Sequence, residues 1–352
     1  MVPQKAQLIR SAMDVLYYTG AYNLFSPGWS GVGAIFMLHH VRQSNGRGPF
    51  SPNNILEVTP EFVEQTIQQV LALDYDIVDL DEVQRRLTQG DFQRKFACFT
   101  LDDGYVDNYL NAFPVFKKYN APFTVYIHTG LPDGMAVLWW WLLEEIVRDN
   151  DDVALRVDDE QLFFETESLR QKKKAFDRIY WAIRSLPLHK QRSAVDAMLD
   201  KYNVNPLTLC QSSAMSWGMI AELAGSGLAT IGAHTVTHAA LARLRTEEVY
   251  QEATQSREII STRIGQTVRH FAYPYGDPAS ASPREFEIIR GLGFATATTT
   301  RKGVLYPAHA QHLHALPRVP LHGAYQQLRY VDVYLSGAPV ALWRGFRRLD
   351  VN

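Results

Sequence analysis

Short runs of apolar and β-branched residues recur along the chain, separated by stretches whose apolar residues repeat with helical spacing. We predict strands at residues 32–38, 76–80, 96–101, 123–127, 228–233, 268–273, 294–299 and 316–321. Continuous apolar runs are typical of strands buried on both faces. Strands that alternate with helices predict a parallel sheet with helical crossovers. The fold class is therefore α/β. About eight such units favour a distorted (β/α) barrel of about seven to eight strands over an open sheet, which would have the same periodicity.

Sequence signals mark where three of the intervening helices begin. Thr59 precedes a proline and a glutamate, and Thr246 precedes two glutamates. Ser282 is followed by Pro283 and then, three residues after the cap, by Glu285. Each pattern supplies the side chains that a helix start needs for its unpaired N–H groups.

One connection is too long for an ordinary crossover. Residues 131–213 show helical patterning and no convincing strand, and a stretch of that length must form its own substructure. We therefore predict an N-terminal helical segment at 1–30, a barrel made of 31–130 and 214–322, a helical insertion at 131–213, and a C-terminal helical tail at 323–352.

Composition excludes several classes of protein. The chain has 352 residues, 46% of them apolar and 20% charged, with a formal charge of −2. This is a globular composition with no basic field for nucleic acid, so a neutral or weakly charged substrate fits better. Cys98 and Cys210 are too few for a disulfide framework and lack zinc-site spacing, so we expect both to be buried.

The two ends of the chain bear on its location. Residues 1–20 lack the apolar core and cleavage site of a secretory signal, and no stretch is long enough to span a membrane, so we expect a cytoplasmic protein. Residues 5–25 and the tail ALWRGFRRLDV combine large apolar side chains with Lys or Arg, as interfacial helices do. Peripheral contact with the inner membrane is therefore an alternative to helices that simply pack on the body. The oligomeric state is not readable.

Two adjacent carboxylates follow one of the predicted strands. FACFTL leads directly into Asp102 and Asp103. Two like charges this close are unfavourable unless a cation or a shared proton relieves them, and barrel active sites are built at strand ends. A metal bound by one carboxylate would leave the other free as a base. The alternative is a turn in which an Asp caps the next helix.

Two further strand ends carry candidate chemistry. LATIGA is followed by His234 and His238, whose imidazoles can face one point if the segment turns helically, as a divalent metal requires. In FAYPYG, the Pro-Tyr-Gly turn would bring backbone N–H groups to the rim, where they can hold a developing oxyanion, and Tyr275 could line the pocket. Taken alone, the second sequence is also typical of a structural turn.

Together, TLDDGY, HTVTH and FAYPYG resemble, in this order and at strand ends, the first three motifs of the polysaccharide deacetylases. This is the NodB-homology family, also called carbohydrate esterase family four. The resemblance covers residues 30–130 and 213–322. It implies a distorted (β/α) barrel and metal-dependent removal of N- or O-acetyl groups from sugars.

Carried over to this chain, the resemblance implies a general base at Asp102 and a metal site made by Asp103, His234 and His238. The metal would usually be Zn²⁺, with Co²⁺ or Ni²⁺ as alternatives. The backbone N–H of Tyr275 would help to form the oxyanion hole. These roles agree with metal-assisted hydrolysis, in which the metal polarises the acetyl carbonyl and acidifies water while the base takes the proton.

The chain departs from the family pattern in three places. The arginine that orients the base in many members is replaced by Ala272, and Arg318 in LPRVPL is a candidate substitute. The fourth motif has no clear match in TATTTRKGV. LPRVPL also lacks the histidine that protonates the leaving amine in the fifth motif.

The missing acid draws attention to His39 and His40, at the end of AIFMLHHV. In members resembling the deacetylases of secreted poly-N-acetylglucosamine, the acid histidine precedes the Asp-Asp motif, in a Tyr-His-x-Val or Tyr-His-x-Ile context. Neighbours on a strand point to opposite sides, so one should face the barrel mouth and the other the wall. We predict His39 as the acid; the alternative is that both are structural. His314, His322 and His128 are weaker candidates.

The resulting hypothesis is a metal-dependent hydrolase that removes N-acetyl groups from an oligosaccharide, polysaccharide or lipid-linked glycan containing amino sugars. We place Tyr273, Pro274, Trp139 and Arg318 on the substrate side of its site. The three tryptophans at 139–141 could stack on sugar rings, although adjacent aromatics on a helix cannot all face one way.

Two other classes fit part of the pattern. Two histidines and one carboxylate also suit non-haem Fe(II), although such enzymes need no second Asp beside the ligand. The missing arginine makes a catalytically impaired sugar-binding protein conceivable, but Asp102, both motif histidines and a candidate acid argue against it. An assay for released acetate would separate a hydrolase from both alternatives.

Overall fold

The computed structural model describes residues 3–43, 48–157 and 160–351. Its strands are β1 (Gly33–Leu38), β2 (His40–Val41), β3 (Glu57–Val58), β4 (Asp76–Ile77), β5 (Phe96–Leu101), β6 (Phe123–Ile127), β7 (Asp152–Val157), β8 (Glu160–Glu165), β9 (Ala229–Ala233), β10 (His270–Ala272), β11 (Thr296–Lys302) and β12 (Leu316–Pro320). Its helices are α1 (Pro3–Tyr18), α2 (Tyr22–Trp29), α3 (Pro60–Ala72), α4 (Leu80–Gln89), α5 (Phe113–Lys118), α6 (Trp139–Asp149), α7 (Leu169–Ser185), α8 (Leu188–Lys201), α9 (Pro206–Ser213), α10 (Trp217–Gly225), α11 (Thr246–Ile264), α12 (Pro283–Gly291), α13 (Leu328–Leu335) and α14 (Ala338–Trp343).

Seven parallel strands close into a barrel. Their order around the ring is β1, β12, β11, β10, β9, β6 and β5, and β5 pairs again with β1 over its full length. The short strand β4 is an addition beside the first residues of β5. Each of the eight predicted apolar runs overlaps one of these strands. The predicted distorted (β/α) barrel is confirmed.

Most barrel strands are apolar because both of their faces are covered, although β11, with the sequence TATTTRK, is mostly polar. Every residue of β5 is buried. On the side that faces the helices, Phe36 of β1 stacks on Phe99 of β5 with ring centroids 5.0 Å apart, and Phe116 of α5 stacks on Phe123 of β6 at 4.5 Å. Cys98 and Cys210 are both buried free thiols, as expected.

The helices begin where the capping signals place them. The Thr59 side chain accepts a hydrogen bond from the N–H of Phe62 at the start of α3. At the start of α12, the Glu285 carboxylate accepts from the N–H of Ser282 at 2.8 Å, which completes a capping box. Helix α11 begins at Thr246.

The long connection contains helices α6 to α9 and also a β-hairpin. The expectation of helical structure alone is wrong for residues 152–157 and 160–165, where β7 and β8 pair antiparallel. The hairpin was missed because β8 is largely exposed and so lacks the apolar run that marked the barrel strands. A second hydrophobic cluster, with Phe176 and Met198 among its members, lies under these elements. The domain boundaries stay a prediction.

All the candidate chemistry lies at one end of the barrel. Asp102 and Asp103 directly follow β5, His234 directly follows β9, and His39 directly follows β1. Because the ring strands are parallel, their carboxyl ends meet at the same rim. The fold therefore gathers side chains that are far apart in sequence.

Candidate active site

The Asp102 carboxylate forms a buried ion pair with Arg318. The two guanidinium nitrogens of Arg318 donate to the two carboxylate oxygens, each at 2.7 Å. Both side chains are almost fully buried. Arg318 also donates to the Thr299 carbonyl and to the Thr100 hydroxyl, which fixes its plane. Such a bidentate pair sets the orientation of the carboxylate as well as its charge.

This ion pair keeps Asp102 ionised. Burial alone would raise the pKa of Asp102, but the charge and hydrogen bonds of Arg318, together with the nearby His234 and His39, outweigh burial, and the pKa lies below its ordinary value. A buried carboxylate at a site needs such a partner to stay a base. Many family members orient the base with an arginine, and this chain has Ala272 at that position. Arg318 lies where a substitute for that arginine is expected.

The neighbouring Asp103 faces two imidazoles instead of a cation. Its Oδ1 atom lies 3.3 Å from Nε2 of His234 and 3.2 Å from Nε2 of His238. The three candidate ligand atoms all lie within 4.8 Å of one another, and all three residues are buried. Among the described residues, the Asp103 Oδ1 atom has no hydrogen-bond partner of ordinary geometry.

These residues fit a divalent metal. Two imidazole nitrogens and one carboxylate oxygen make a donor set typical of catalytic Zn²⁺. His234 Nδ1 lies 2.8 Å from the Ala272 carbonyl, so Nδ1 carries the proton and Nε2 presents its lone pair toward Asp103. The buried Asp103 Oδ1 atom is therefore available to bind a metal ion. The metal roles of the three residues stay a prediction.

The HTVTH segment is held in shape by Glu252 of α11, which the sequence analysis did not single out. The Glu252 carboxylate accepts hydrogen bonds from the N–H groups of Val236 and Thr237 and from the Thr237 hydroxyl. His238 adopts a positive φ of 55°, and its N–H donates to the Thr235 hydroxyl. The tight turn brings the two histidines together. Glu252 is distant in sequence from Asp102 and Asp103, so only the tertiary fold shows its contact with this turn.

The two adjacent histidines separate as the strand geometry predicts. His39 is partly exposed, and its Nε2 lies 3.8 Å from an oxygen of Asp102. His40 is buried in the wall, with Nδ1 2.6 Å from Asp107 and its ring stacked on Tyr105. His39 is therefore the member of the pair that reaches the site.

Burial sets the charge of His39. Burial lowers the pKa of the His39 imidazole below its ordinary value, despite the opposing charges of Asp102 and Asp103. The free imidazole is therefore neutral near pH 7. To act as an acid it must first gain a proton, and Asp102 is the proton-accepting group beside it.

The three weaker histidine candidates lie in other settings. His128 is buried with its ring 5.4 Å from His238, and burial keeps its pKa well below the ordinary value. His314 Nε2 lies 2.7 Å from the Phe294 carbonyl. His322 stacks on Tyr325. Of the three, only His128 contacts the cluster, through the candidate metal ligand His238.

Tyr275 lies at the rim in a strained turn. Its φ is +60°, in the left-handed region that non-glycine residues rarely adopt. Its ring centroid lies 4.9 Å from that of His238, and its carbonyl accepts from the Thr300 hydroxyl. This places the ring of Tyr275 beside the candidate metal site.

The inserted segment holds this turn from the outside. The Arg184 guanidinium of α7 lies 4.0 Å from the centre of the Tyr275 ring and donates to Asp277 at 2.8 Å and to Ser280 at 2.6 Å. The Trp139 indole N–H donates to the Tyr275 hydroxyl at 3.2 Å. No local motif marks Arg184 in the sequence, so its role had no signal there.

Several predicted substrate contacts are placed differently by the structure. The Tyr273 side chain is fully buried and donates to the His314 carbonyl, so it belongs to the core. Pro274 is also buried. Arg318 is enclosed against Asp102 and offers no surface to a substrate. Trp139 lies at the site but is buried with its two neighbours. The sequence did not show which side chains after β10 point into the core and which point toward the site.

Comparison with known proteins finds similarity to polysaccharide deacetylases. The family model described as polysaccharide deacetylase matches residues 175–296, which include HTVTH and FAYPYG. YxkH of Bacillus subtilis (strain 168), named as a polysaccharide deacetylase, is 23% identical over 183 residues, which are 49% of this chain. The match spans 61% of the length of that relative.

Solved structures share the fold. The Streptococcus pyogenes deacetylase PplD in complex with acetate has a TM-score of 0.55 and 18% identity, covering 86% of this chain and 97% of that one. IcaB from Ammonifex degensii has a TM-score of 0.53 and 18% identity, with the same coverage. The family model and the Bacillus relative support the resemblance to the polysaccharide deacetylases, and the solved structures show the same fold.

Proposed function

We propose that this protein is a metal-dependent hydrolase that removes N-acetyl groups from a glycan containing amino sugars. The observation that carries the proposal is the contrast between two adjacent carboxylates. Asp102 is paired with Arg318 and held as a base, whereas Asp103 lies among His234 and His238 with an oxygen free for a metal. A hydrolase that activates water needs both roles within one site.

The residues divide the hydrolytic work as follows. A divalent metal held by Asp103, His234 and His238 would supply Lewis acidity toward the acetyl carbonyl and toward water. Asp102 accepts a proton from the attacking water, and Arg318 keeps the carboxylate oriented toward it. The backbone N–H of Tyr275 donates to the oxyanion that develops on the acetyl group.

His39 completes the proton balance. Cleavage of the amide yields acetate and a free amine, so the leaving nitrogen must receive a proton. His39 is neutral in the free protein and lies 3.8 Å from Asp102, which gains a proton when water attacks. We infer that the proton taken by Asp102 reaches the amine through His39.

The substrate class is inferred from two supports. Relatives in the family are named as polysaccharide deacetylases, and the solved structure of PplD, which has the same fold, contains acetate, the product of such a reaction. The partly exposed Tyr275 ring, beside His238, also offers an aromatic face, which suits a sugar ring. Zn²⁺ is the proposed metal, with Co²⁺ or Ni²⁺ able to take its place.

An acetate-release assay tests the proposal. Protein stripped with a chelator is assayed on N-acetylated and O-acetylated glycans, before and after addition of Zn²⁺, Co²⁺, Ni²⁺ or Fe²⁺. We expect acetate from N-acetylated glycans only after a metal is restored. Equal release by the stripped protein would refute metal dependence, and oxygen consumption with Fe²⁺ alone would favour an oxidase.

A further inference from the structure

The first helix exposes an apolar stripe. Leu8, Val15 and Tyr18 of α1 are each more than half exposed, and their spacing places them on one face. The opposite face is anchored on the body, where Met13 is fully buried in the main core. A helix held by one apolar face would ordinarily present charge on the other. This helix presents large apolar side chains instead.

The second helix and the C-terminal tail continue this surface. Leu24 of α2 is 83% exposed and Phe346 of the tail is 61% exposed. The Phe346 ring lies 5.6 Å from that of Trp29, at the end of α2, and Arg348 donates to the Gly28 carbonyl. Helix α14, with the exposed Trp343, packs against α2. We call α1, α2 and residues 342–348 the terminal surface.

The charges of the terminal surface that are not in ion pairs are positive. Residues 15–41 contain no Asp, Glu, Lys or Arg. Arg10, Arg347 and Arg348 are exposed, and among the described residues none of them is paired with a carboxylate. The nearby acids are neutralised, because Asp14 pairs with Arg329 and Asp350 pairs with Arg344. The apolar surface is therefore flanked by uncompensated positive charge.

We propose that the terminal surface binds the surface of a bilayer that contains anionic phospholipids. Exposed Leu, Trp, Phe and Tyr side chains with adjacent arginines are what an interfacial site requires, because the apolar groups enter the acyl boundary while the cations meet lipid phosphates. In the described part of the chain, no helix has the length and apolarity to cross a membrane. The proposed attachment is peripheral, through side chains of the terminal surface, and it is independent of the hydrolase proposal.

Charge also argues against a second copy of the chain as the occupant. A symmetric dimer through the terminal surface would bring the same patch against itself, and with it the arginines of both copies. Like charges at such an interface are unfavourable. An anionic lipid surface removes that penalty.

Co-sedimentation with vesicles tests the proposal. The purified full chain is mixed with vesicles of phosphatidylcholine alone, or of equal parts of phosphatidylcholine and phosphatidylglycerol. We expect the protein to pellet with the anionic vesicles and to be released as salt is raised. Protein that stays in the supernatant with anionic vesicles at low salt would overturn the proposal.

Variants locate the contact on the terminal surface. Leu24→Ser should lower partition onto anionic vesicles roughly tenfold or more, because a side chain of this size is lost from the apolar contact. Arg347→Gln should lower it about fivefold. Phe163→Ser is the matched control, since Phe163 is 71% exposed on the β7–β8 hairpin, outside this surface, and should bind as the wild type does.

Two outcomes would contradict the assignment. Equal partition by Leu24→Ser and the wild type would place the lipid contact elsewhere. A concentration-dependent dimer in light scattering that Leu24→Ser abolishes, without vesicle binding by the wild type, would make the surface an interface between copies.

Discussion

The barrel and the inserted segment contribute different things to the same site. The barrel strands place the ionisable groups: Asp102, Asp103, His39 and His234 each follow a strand directly. The insertion contributes aromatic rings and one arginine that contact the rim from outside, and no member of the acid, base or metal set. Groups that perform chemistry thus lie on rigid strand ends, while groups that shape the pocket come from an added segment.

This difference predicts a gradient of effects. Barrel side chains act on reacting atoms, so removing one should abolish or strongly reduce turnover. Insertion side chains act through the Tyr275 turn, so removing one should reduce turnover moderately. The variants below test that gradient from its largest expected effect to its smallest.

The metal cluster should show the largest effect. His234→Ala removes one of three candidate ligands, and we expect metal affinity to fall more than about 100-fold, since even the outer partners of a ligand contribute 10 to 100-fold. Metal content after dialysis measures this. His189→Ala, on the exposed face of α8, is the control and should retain metal. Normal metal content in His234→Ala would show that the ion lies elsewhere.

The buried ion pair should control stability as well as catalysis. Arg318→Met leaves the Asp102 charge buried without its partner, which should lower the free energy of unfolding by about 3–5 kcal/mol. Denaturant unfolding measures the change. Arg94→Met removes an exposed ion pair with Asp74, so its expected change is about 0–1 kcal/mol. Similar values for the two variants would contradict the structural role given to Arg318.

The adjacent histidines should separate by function. His39→Gln should lower turnover about 100-fold with metal retained, because a general acid is lost. His40→Gln should instead lower stability by about 1.5–3 kcal/mol through the lost bond to the Asp107 carboxylate. Turnover and thermal unfolding of both variants measure this. A large loss of turnover in His40→Gln, with normal turnover in His39→Gln, would contradict the assignment of His39 as the acid.

The insertion should show the smallest effect. Arg184→Met removes the guanidinium from the Tyr275 ring, and we expect kcat to fall about 2 to 30-fold. Arg184→Lys should restore part of the loss. Arg178→Met, exposed on the same helix, should have no effect. A loss as large as that of His39→Gln would mean that the insertion takes part in the chemistry.

Much of the fold was predictable because the barrel strands are buried on both faces. Such strands appear as continuous apolar runs, and all eight runs overlap strands. The β7–β8 hairpin could not be predicted from continuous apolar runs, because residues 160–165 are mostly exposed. Periodicity reports burial, so it finds the elements that the core covers.

The site was predictable where its residues are close in sequence. Asp102 and Asp103 are adjacent, and His234 and His238 are four residues apart, so each pair could be read as a unit. Arg318 lies 216 residues from Asp102, and its contact depends on β12 standing two strands from β5 in the ring. The sequence offers Arg318 only as a candidate for the arginine that orients the base, and the geometry supports this prediction.

Other contacts had no signal in the sequence. Glu252 and Arg184 lie on ordinary helical faces, and only packing brings them to the HTVTH and FAYPYG turns. Tyr273 was assigned to the substrate side, but the turn after β10 directs its ring into the core. Side-chain direction after a proline turn depends on backbone angles that the sequence does not specify.

The central claim is that Asp102 is the base beside a metal held by its neighbour. The most direct test compares acetate release from N-acetylated glycans by metal-saturated wild type and Asp102→Asn, with metal content and thermal unfolding measured on both. We predict that the variant stays folded, keeps its metal and turns over about 10² to 10⁴-fold more slowly. Wild-type turnover by Asp102→Asn, or glycan binding by the wild type without acetate release, would contradict the account.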